Sequence, residues 1–467
     1  MLYRFVLLLV SLLPNLIVGA QTKIPTAELQ EDFAVMRDKI CKYNAGLYEF
    51  VEEAQLMNYW DSLAATITQP MTEREFSQVI VKALIPVKER HMSQGFSKKS
   101  EYTIKYTKNQ RKVLPLYVYF MDNDDAYILR NASTDSTIQP GAKLLAINDK
   151  PIQHVQQQIF DHIIVDQGVT SWKYFETNAK FNALYYQFVD TVSTFNIQFV
   201  DTLGITKSAI LEGVTRKVYL DSVNTQTKRI FDIDSTETII RKPLSTEFYD
   251  SISVAKLKIS TFNKEKLRKG KVQFKSAVNT FFDEVAEKNI AHVIIDVRGN
   301  TGGRIKYLAH VLSYIKKSEE RPELLDRTYY RWLKPKETRS KEEKAPKQQK
   351  DYFDGEVYVL TDGGSYSAAV MMAVFARELA DAKIVGQPTG GRYNGTTAGS
   401  FKEVKLKNSN LRVRVPLTLF SYFVEEQEEG GVQPDIEVSK KIENFFEKSD
   451  YQLETLLEHI EQNGASQ

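Results

Sequence analysis

At 467 residues, with 42% hydrophobic and 26% charged side chains, the chain exceeds one ordinary domain and reads as a globular protein of about two to four domains. A formal net charge of +2 excludes a large uniformly basic face, so nucleic acid is not an expected partner. The single cysteine, Cys41, excludes an intrachain disulfide and leaves the fold to its core.

At the N-terminus Arg4 precedes an apolar run from Phe5 to Leu13, and Val18, Gly19 and Ala20 fit a cleavage site. The pattern predicts a secretory signal over 1–20, too short for a comfortable membrane span. An exported protein follows, periplasmic or extracellular, with no stable span once the signal is cut. An uncleaved anchor is the alternative.

Residues 21–98 read as a helical domain, because Leu29, Phe33, Met36 and Ile40 recur at helical spacing. Thr72 and Glu75 make a capping box ahead of Phe76, Val79, Ile80 and Leu84. His91 falls just past the end of that helix, in a loop or on an incoming strand. From 99 to 200 the pattern turns to short strands, at 116–120 and 126–129. Over 138–160 a Pro-Gly turn, a short apolar strand, an Asn-Asp turn and an amphipathic helix follow one another. Alternating strands are expected again at 195–200 and 253–259.

Within 201–467 helix and strand alternate: helix 272–286, strand 291–297, helix 307–315, strand 357–360, helix 368–379 and strand 382–386. This predicts βαβ units on a largely parallel sheet, so the chain is read as α/β in a multidomain α+β arrangement. The mixed-charge run 334–351 lacks interleaved aromatics and is read as a solvated insertion. Two glycine-rich segments, "DVRGNTGG" (296–303) and "TDGGSYS" (361–367), each follow a strand directly and belong at one sheet edge. Serines at such a strand-to-helix turn have two readings, as helix caps or as a nucleophile beside pre-aimed N–H groups.

In this order, "DVRGNTGG", the serine turn followed by "IVGQPTGG" (384–391), and "GGVQPDIEV" (430–438) resemble the C-terminal processing and tricorn-like serine peptidases. The segment from Pro140 to Val155 resembles the later half of a PDZ domain. The resemblance implies a ClpP/crotonase-like catalytic core, a peptide or protein substrate, and no cofactor. It puts the nucleophile on Ser367, with Ser365 non-catalytic, and the oxyanion donors on Ala368 with Gly302 or Gly303. The lysine base of the processing branch would fall on Arg392, whose guanidinium cannot take a proton. The tricorn-like branch instead implies His91 as base and a glutamate at Glu428, with Glu425 and Glu429 as neighbouring choices. Arg90 stands where that branch can carry a serine, leaving Ser93 as the substitute for a fourth member. The glutamate that usually follows the serine motif is missing, with Ala369 and Val370 in its place.

His154, His162, His292, His310 and His459 show no metal-ligand spacing, so no metal is expected. Two rival readings stand beside the peptidase. One is a catalytically inactive binding protein of the same fold, holding a peptide or an apolar ligand. The other is a different serine hydrolase such as an esterase, which the absence of a G-x-S-x-G elbow disfavours.

Overall fold

The computed structural model describes residues 22–230, 242–329, 344–424, 429–447 and 449–464. The expected signal segment, Glu425, Glu428 and part of the charged run (334–343) lie outside these residues. Among the described residues, no helix is long and apolar enough to cross a membrane.

Three helices, α1 (Thr26–Tyr43), α2 (Glu53–Ala65) and α3 (Glu73–Leu84), open the chain. The α3 start is the expected capping box, with Glu75 N–H donating to Thr72 Oγ1 at 3.2 Å and Thr72 N–H donating to the Glu75 carboxylate at 2.7 Å. After α3 a 3₁₀ turn at Ile85–Val87 and a left-handed Lys88 redirect the chain through His91 into β1 (Ser93–Phe96).

An antiparallel sheet follows, built from β2 (Leu116–Phe120), β3 (Ala126–Asn131), β4 (Lys143–Ile147), β5 (Thr194–Val200) and β6 (Thr206–Glu212) in the spatial order β6-β5-β4-β3-β2. The Asn-Asp turn takes positive φ at both Asn148 (50°) and Asp149 (60°), the conformation these residues tolerate best after glycine. It leads into α4 (Ile152–Phe160), and α5 (Ser171–Leu184) then crosses toward the next layer. The sheet runs past residue 200, because β6 pairs with β5 along its whole length from Thr206 to Glu212.

The second sheet carries β7 (Leu244–Tyr249), β8 (Val254–Ile259), β9 (His292–Asp296), β10 (Glu356–Thr361), β11 (Lys383–Gly386) and β12 (Ile436–Glu437), in chain order across the sheet. All neighbours are parallel except β7 and β8. The helices α6 (Phe274–Glu287), α7 (Ile305–Ile315) and α8 (Ala368–Ala380) make the crossovers. Strand alternation divides the core between the faces. Val293, Ile295, Val357 and Val359 pack with the crossover helices, whereas Ile294, Tyr358 and Leu360 pack with Leu453, Leu456 and Ile460 of α9 (Tyr451–Gly464).

A long hairpin of β13 (Gly395–Leu406) and β14 (Leu411–Tyr422) leaves this sheet. The first strand after the helical domain, β1, joins its edge, with Ser93 opposite Arg414 and Phe96 opposite Leu411. That pairing carries the region of His91 across more than 300 positions of sequence, and α1 and α3 share a buried cluster with Val404, Leu406, Val413 and Val415 of the hairpin.

Candidate active site

The carboxyl ends of β9 and β10 are adjacent, so the two glycine-rich loops meet as the parallel register requires. They are tied by Gly299 N–H to Asp362 Oδ1 (2.7 Å), Ser365 Oγ to the Val297 carbonyl (2.8 Å) and Tyr366 N–H to the Asn300 carbonyl (3.0 Å). Ser365 is therefore a buried tie between loops. Below them Arg298 donates to Asp296 (2.7 Å) and Asp450 (2.6 Å), fixing the first loop against the start of α9. The guanidinium holds the buried Asp296 carboxyl below its ordinary pKa, against the upward push of burial.

Ser367 is the residue before α8 and has φ 58° and ψ −119°, a conformation that costs a non-glycine residue strain. It is half-buried, and its side chain does not cap the helix. Gly302, at φ 89°, lies beneath it: a Cβ there would come 2.7 Å from Ser367 Cβ and 2.9 Å from Ala368 N. Only glycine permits that approach. The two expected oxyanion donors at the glycine turn separate here. The Gly302 N–H donates to Asn300 Oδ1 at 2.9 Å, so Gly302 is corrected from donor to spacer. Among the described residues, the N–H groups of Gly303 and Ala368 take no partner.

His91 is placed against the residue that precedes the serine. Its ring lies 4.7 Å from that of Tyr366, and the Tyr366 hydroxyl is 2.7 Å from His91 Nδ1. Thr396 Oγ1 of β13 is 3.1 Å from the same nitrogen, and Glu89 Oε1 is 3.4 Å away. Among the described residues, Nε2 takes no hydrogen bond, and none joins His91 to Ser367. Burial pushes the imidazole pKa below its ordinary 6.5, with Arg90 and Arg414 adding to the drop and Glu89 opposing it, so the ring is neutral at neutral pH.

Glu89, two residues before His91, was not singled out in the sequence, where it reads as one more charge past a helix. It is only 3% exposed and accepts from the backbone N–H groups of Thr397 (3.1 Å) and His91 (3.3 Å). Burial pushes its carboxyl up, but the neighbouring His91 and the charge of Arg392 outweigh that, and the group is held below its ordinary pKa. Arg392 lies 3.8 Å from Glu89, donates from Nε to the Gly395 carbonyl at 2.7 Å and stacks 4.5 Å from the Phe50 ring. It serves as a buried counter-charge to Glu89.

A second buried carboxylate, Asp166, accepts from Arg90 N–H (2.7 Å) and Arg392 N–H (3.2 Å), stapling the His91 loop to the loop that precedes β13. Burial and the charge of Glu89 push its pKa up to about 8, with Arg392 and the two backbone N–H bonds opposing them. Ser93 opens β1 and makes no hydrogen bond to His91 among the described residues. Glu429 is exposed, and its Cγ packs near Gly168. Glu428 lies outside the described residues, and these hold no cluster of potential metal ligands.

Residues 253–438 match peptidase family S41. The chain carries a serine-type peptidase domain of that family. No curated protein matches the chain. Among solved structures, mature CPAF complexed with lactacystin is similar at a TM-score of 0.66 and 15% identity, covering 94% of this chain and 98% of that one. Mature CPAF without that ligand named gives a TM-score of 0.62 at 14% identity, covering 93% and 96%. The photosystem II D1 C-terminal processing protease aligns at a TM-score of 0.44 and 14% identity, covering 93% and 97%. At such identities the CPAF structures establish a shared fold, and the roles of residues rest on the geometry above. The peptidase domain contains the serine, glycine and Arg392 loops, whereas Glu89, His91 and Asp166 lie outside the matched residues.

Beside the loops opens a cleft of about 1530 Å³. Its walls include Tyr119 of β2, Arg130 of β3, Tyr174 and Phe175 of α5, and Asp362 and Gly363 of the serine loop. It is thus shared by the antiparallel module and the peptidase domain.

Proposed function

We propose that the protein is an exported serine peptidase in which Ser367 attacks the scissile carbonyl and His91 takes its proton at Nε2. The observation that carries this reading is the packing of His91 on Tyr366, next to a serine held in a strained turn at the head of α8. A hydroxyl is a weak nucleophile until a base within reach accepts its proton, and a neutral buried imidazole is suited to that task. Glu89 faces Nδ1 and stabilises the imidazolium that forms, a role for which Glu428 was expected from the sequence. The oxyanion is met by the N–H groups of Ala368 and Gly303, the former at a helix N-terminus.

The cleft receives an extended peptide between the PDZ-like module and the peptidase domain, and strand addition to the module aligns the chain. Export follows from the signal pattern over 1–20. The test is a fluorophosphonate serine-hydrolase probe, with mass mapping of the adduct and digestion of a peptide library. The expected result is an adduct on Ser367 together with internal peptide cleavage, both lost in Ser367→Ala. A folded protein that neither labels nor cleaves would reverse the reading in favour of a binding protein of the same fold.

A further inference from the structure

One ring nitrogen, His91 Nδ1, faces three oxygens: the Tyr366 hydroxyl at 2.7 Å, Thr396 Oγ1 at 3.1 Å and Glu89 Oε1 at 3.4 Å. A neutral imidazole carries one proton, so Nδ1 either donates to one of these oxygens or accepts from one hydroxyl. The choice is set by what the other groups need. Glu89 already receives the N–H groups of Thr397 and His91 and faces the Arg392 guanidinium. The hydroxyls of Tyr366 and Thr396, both on buried residues, have no other partner among the described residues. A proton on Nδ1 would leave both O–H groups buried without an acceptor, whereas a bare Nδ1 accepts the shorter bond from Tyr366.

The geometry points to a tautomer lock: in the resting protein the Tyr366 hydroxyl, with that of Thr396 as the longer alternative donor, donates to His91 Nδ1, which keeps the ring proton on Nε2, the nitrogen that must be bare to receive the serine proton. Tyr366 and Thr396 are then positioning residues that restrain the base. Activity requires the Tyr366 hydroxyl to leave Nδ1 so that a proton there can point at Glu89. Ring and solvent exchange the proton, so the change is one of tautomer, with no net gain or loss. Tyr366 is suited to such a release, because it is bonded to Ser367 and its ring sits between His91 and Trp172, with centroids 4.7 and 5.0 Å away. A substrate that seats on the serine turn pushes on the residue that holds the lock.

The inference rests on His91 being the base for Ser367, and its test separates the two claims. Protein labelled with ¹⁵N-histidine is examined by long-range ¹H–¹⁵N correlation, with the His91 signals assigned by their loss in His91→Ala. The wild type is expected to show a pyridine-type Nδ1 and a protonated Nε2. The double variant Tyr366→Phe/Thr396→Val, which removes both donors at nearly constant shape, is expected to reverse the pattern. Its Ser367 is expected to react with the fluorophosphonate about fivefold faster, the factor that one net hydrogen bond is worth. The single variants rank the two donors, with Tyr366→Phe having the larger effect. A protonated Nδ1 in the wild type, an unchanged tautomer in the double variant, or a flipped tautomer without faster labelling would each overturn the lock. Absence of labelling in every protein would remove the peptidase reading, while the nitrogen shifts would still decide the tautomer.

Discussion

The two halves of the site are built by different means. Ser367, Gly302 and Gly303 sit on loops that leave adjacent parallel strands, so local register alone brings them together. His91 and Glu89 arrive by a long-range pairing, in which β1 lies on a hairpin strand whose partner sits more than 300 positions later. The first half tolerates little change because backbone packs on backbone. The second is a set of buried charges and hydroxyls around one imidazole, and its balance can be shifted without unfolding the sheet. On the proposed reading the first half supplies the nucleophile and the oxyanion donors, and the second supplies the base and its adjustment.

Substitutions in each half test this contrast. The largest expected effect is on the nucleophile, where Ser367→Ala lowers peptide hydrolysis by about 10⁴-fold or more, with unchanged denaturation by urea. Next is the spacer beneath it. Gly302→Ala places a Cβ 2.7 Å from that of Ser367 at a positive φ, and is expected to cost about 2 kcal/mol of stability along with most of the activity. On the base side Glu89→Gln keeps the shape but loses the charge opposite Nδ1, and a fall of about 10²-fold in kcat with little change in KM is expected.

A smaller effect is expected at Arg392. Arg392→Lys loses the stack on Phe50 and the bond to the Gly395 carbonyl, for about 1–2 kcal/mol in chemical denaturation. The same change in a His91→Ala background is not expected to restore labelling, because the side chain is committed to Glu89. The mildest effect is in pH dependence. The Asp166 pKa is raised to about 8 in the folded protein from an ordinary 3.8, so the folded state holds the proton longer. Its contribution to stability is full below pH 4 and is lost as pH rises toward 8. Asp166→Asn should flatten that slope in denaturation midpoints measured between these limits. The base titrates oppositely: a lowered His91 pKa keeps labelling of Ser367 active to below pH 6.5, and the acid loss of rate is expected under that value.

Much of the first half could be read from the residues. The apolar run 291–297, the two glycine loops and the helix after Ser367 are local patterns with local causes, and β9, β10 and α8 fall within a residue or two of the predicted ends. The capping box at Thr72 and the Asn-Asp turn at 148–149 were legible for the same reason. The position of His91 past α3 was also readable, but its neighbours were not. Glu89 reaches the hairpin because β1 adds to it, Asp166 and Tyr366 close on the same place from other loops, and no periodicity reports these contacts. The role of Arg392 was hidden for a related cause. Its place matches a lysine in the processing branch, yet burial between Phe50, Gly395 and Glu89 gives it structural work. Gly302 was one of two glycines expected as a donor, and the side chain of its neighbour Asn300 takes its N–H.

The claim on which the rest depends is that the base carried by the hairpin serves the serine carried by the sheet. The most direct measurement is the second-order rate of fluorophosphonate reaction at Ser367 in the wild type and in His91→Ala, at one pH and with equal folded fractions. A loss of about 10³-fold or more is expected in the variant, with the adduct still mapping to Ser367 in the wild type. Equal rates in the two proteins would contradict it, and would leave His91 a buried packing residue beside a serine activated by some other group.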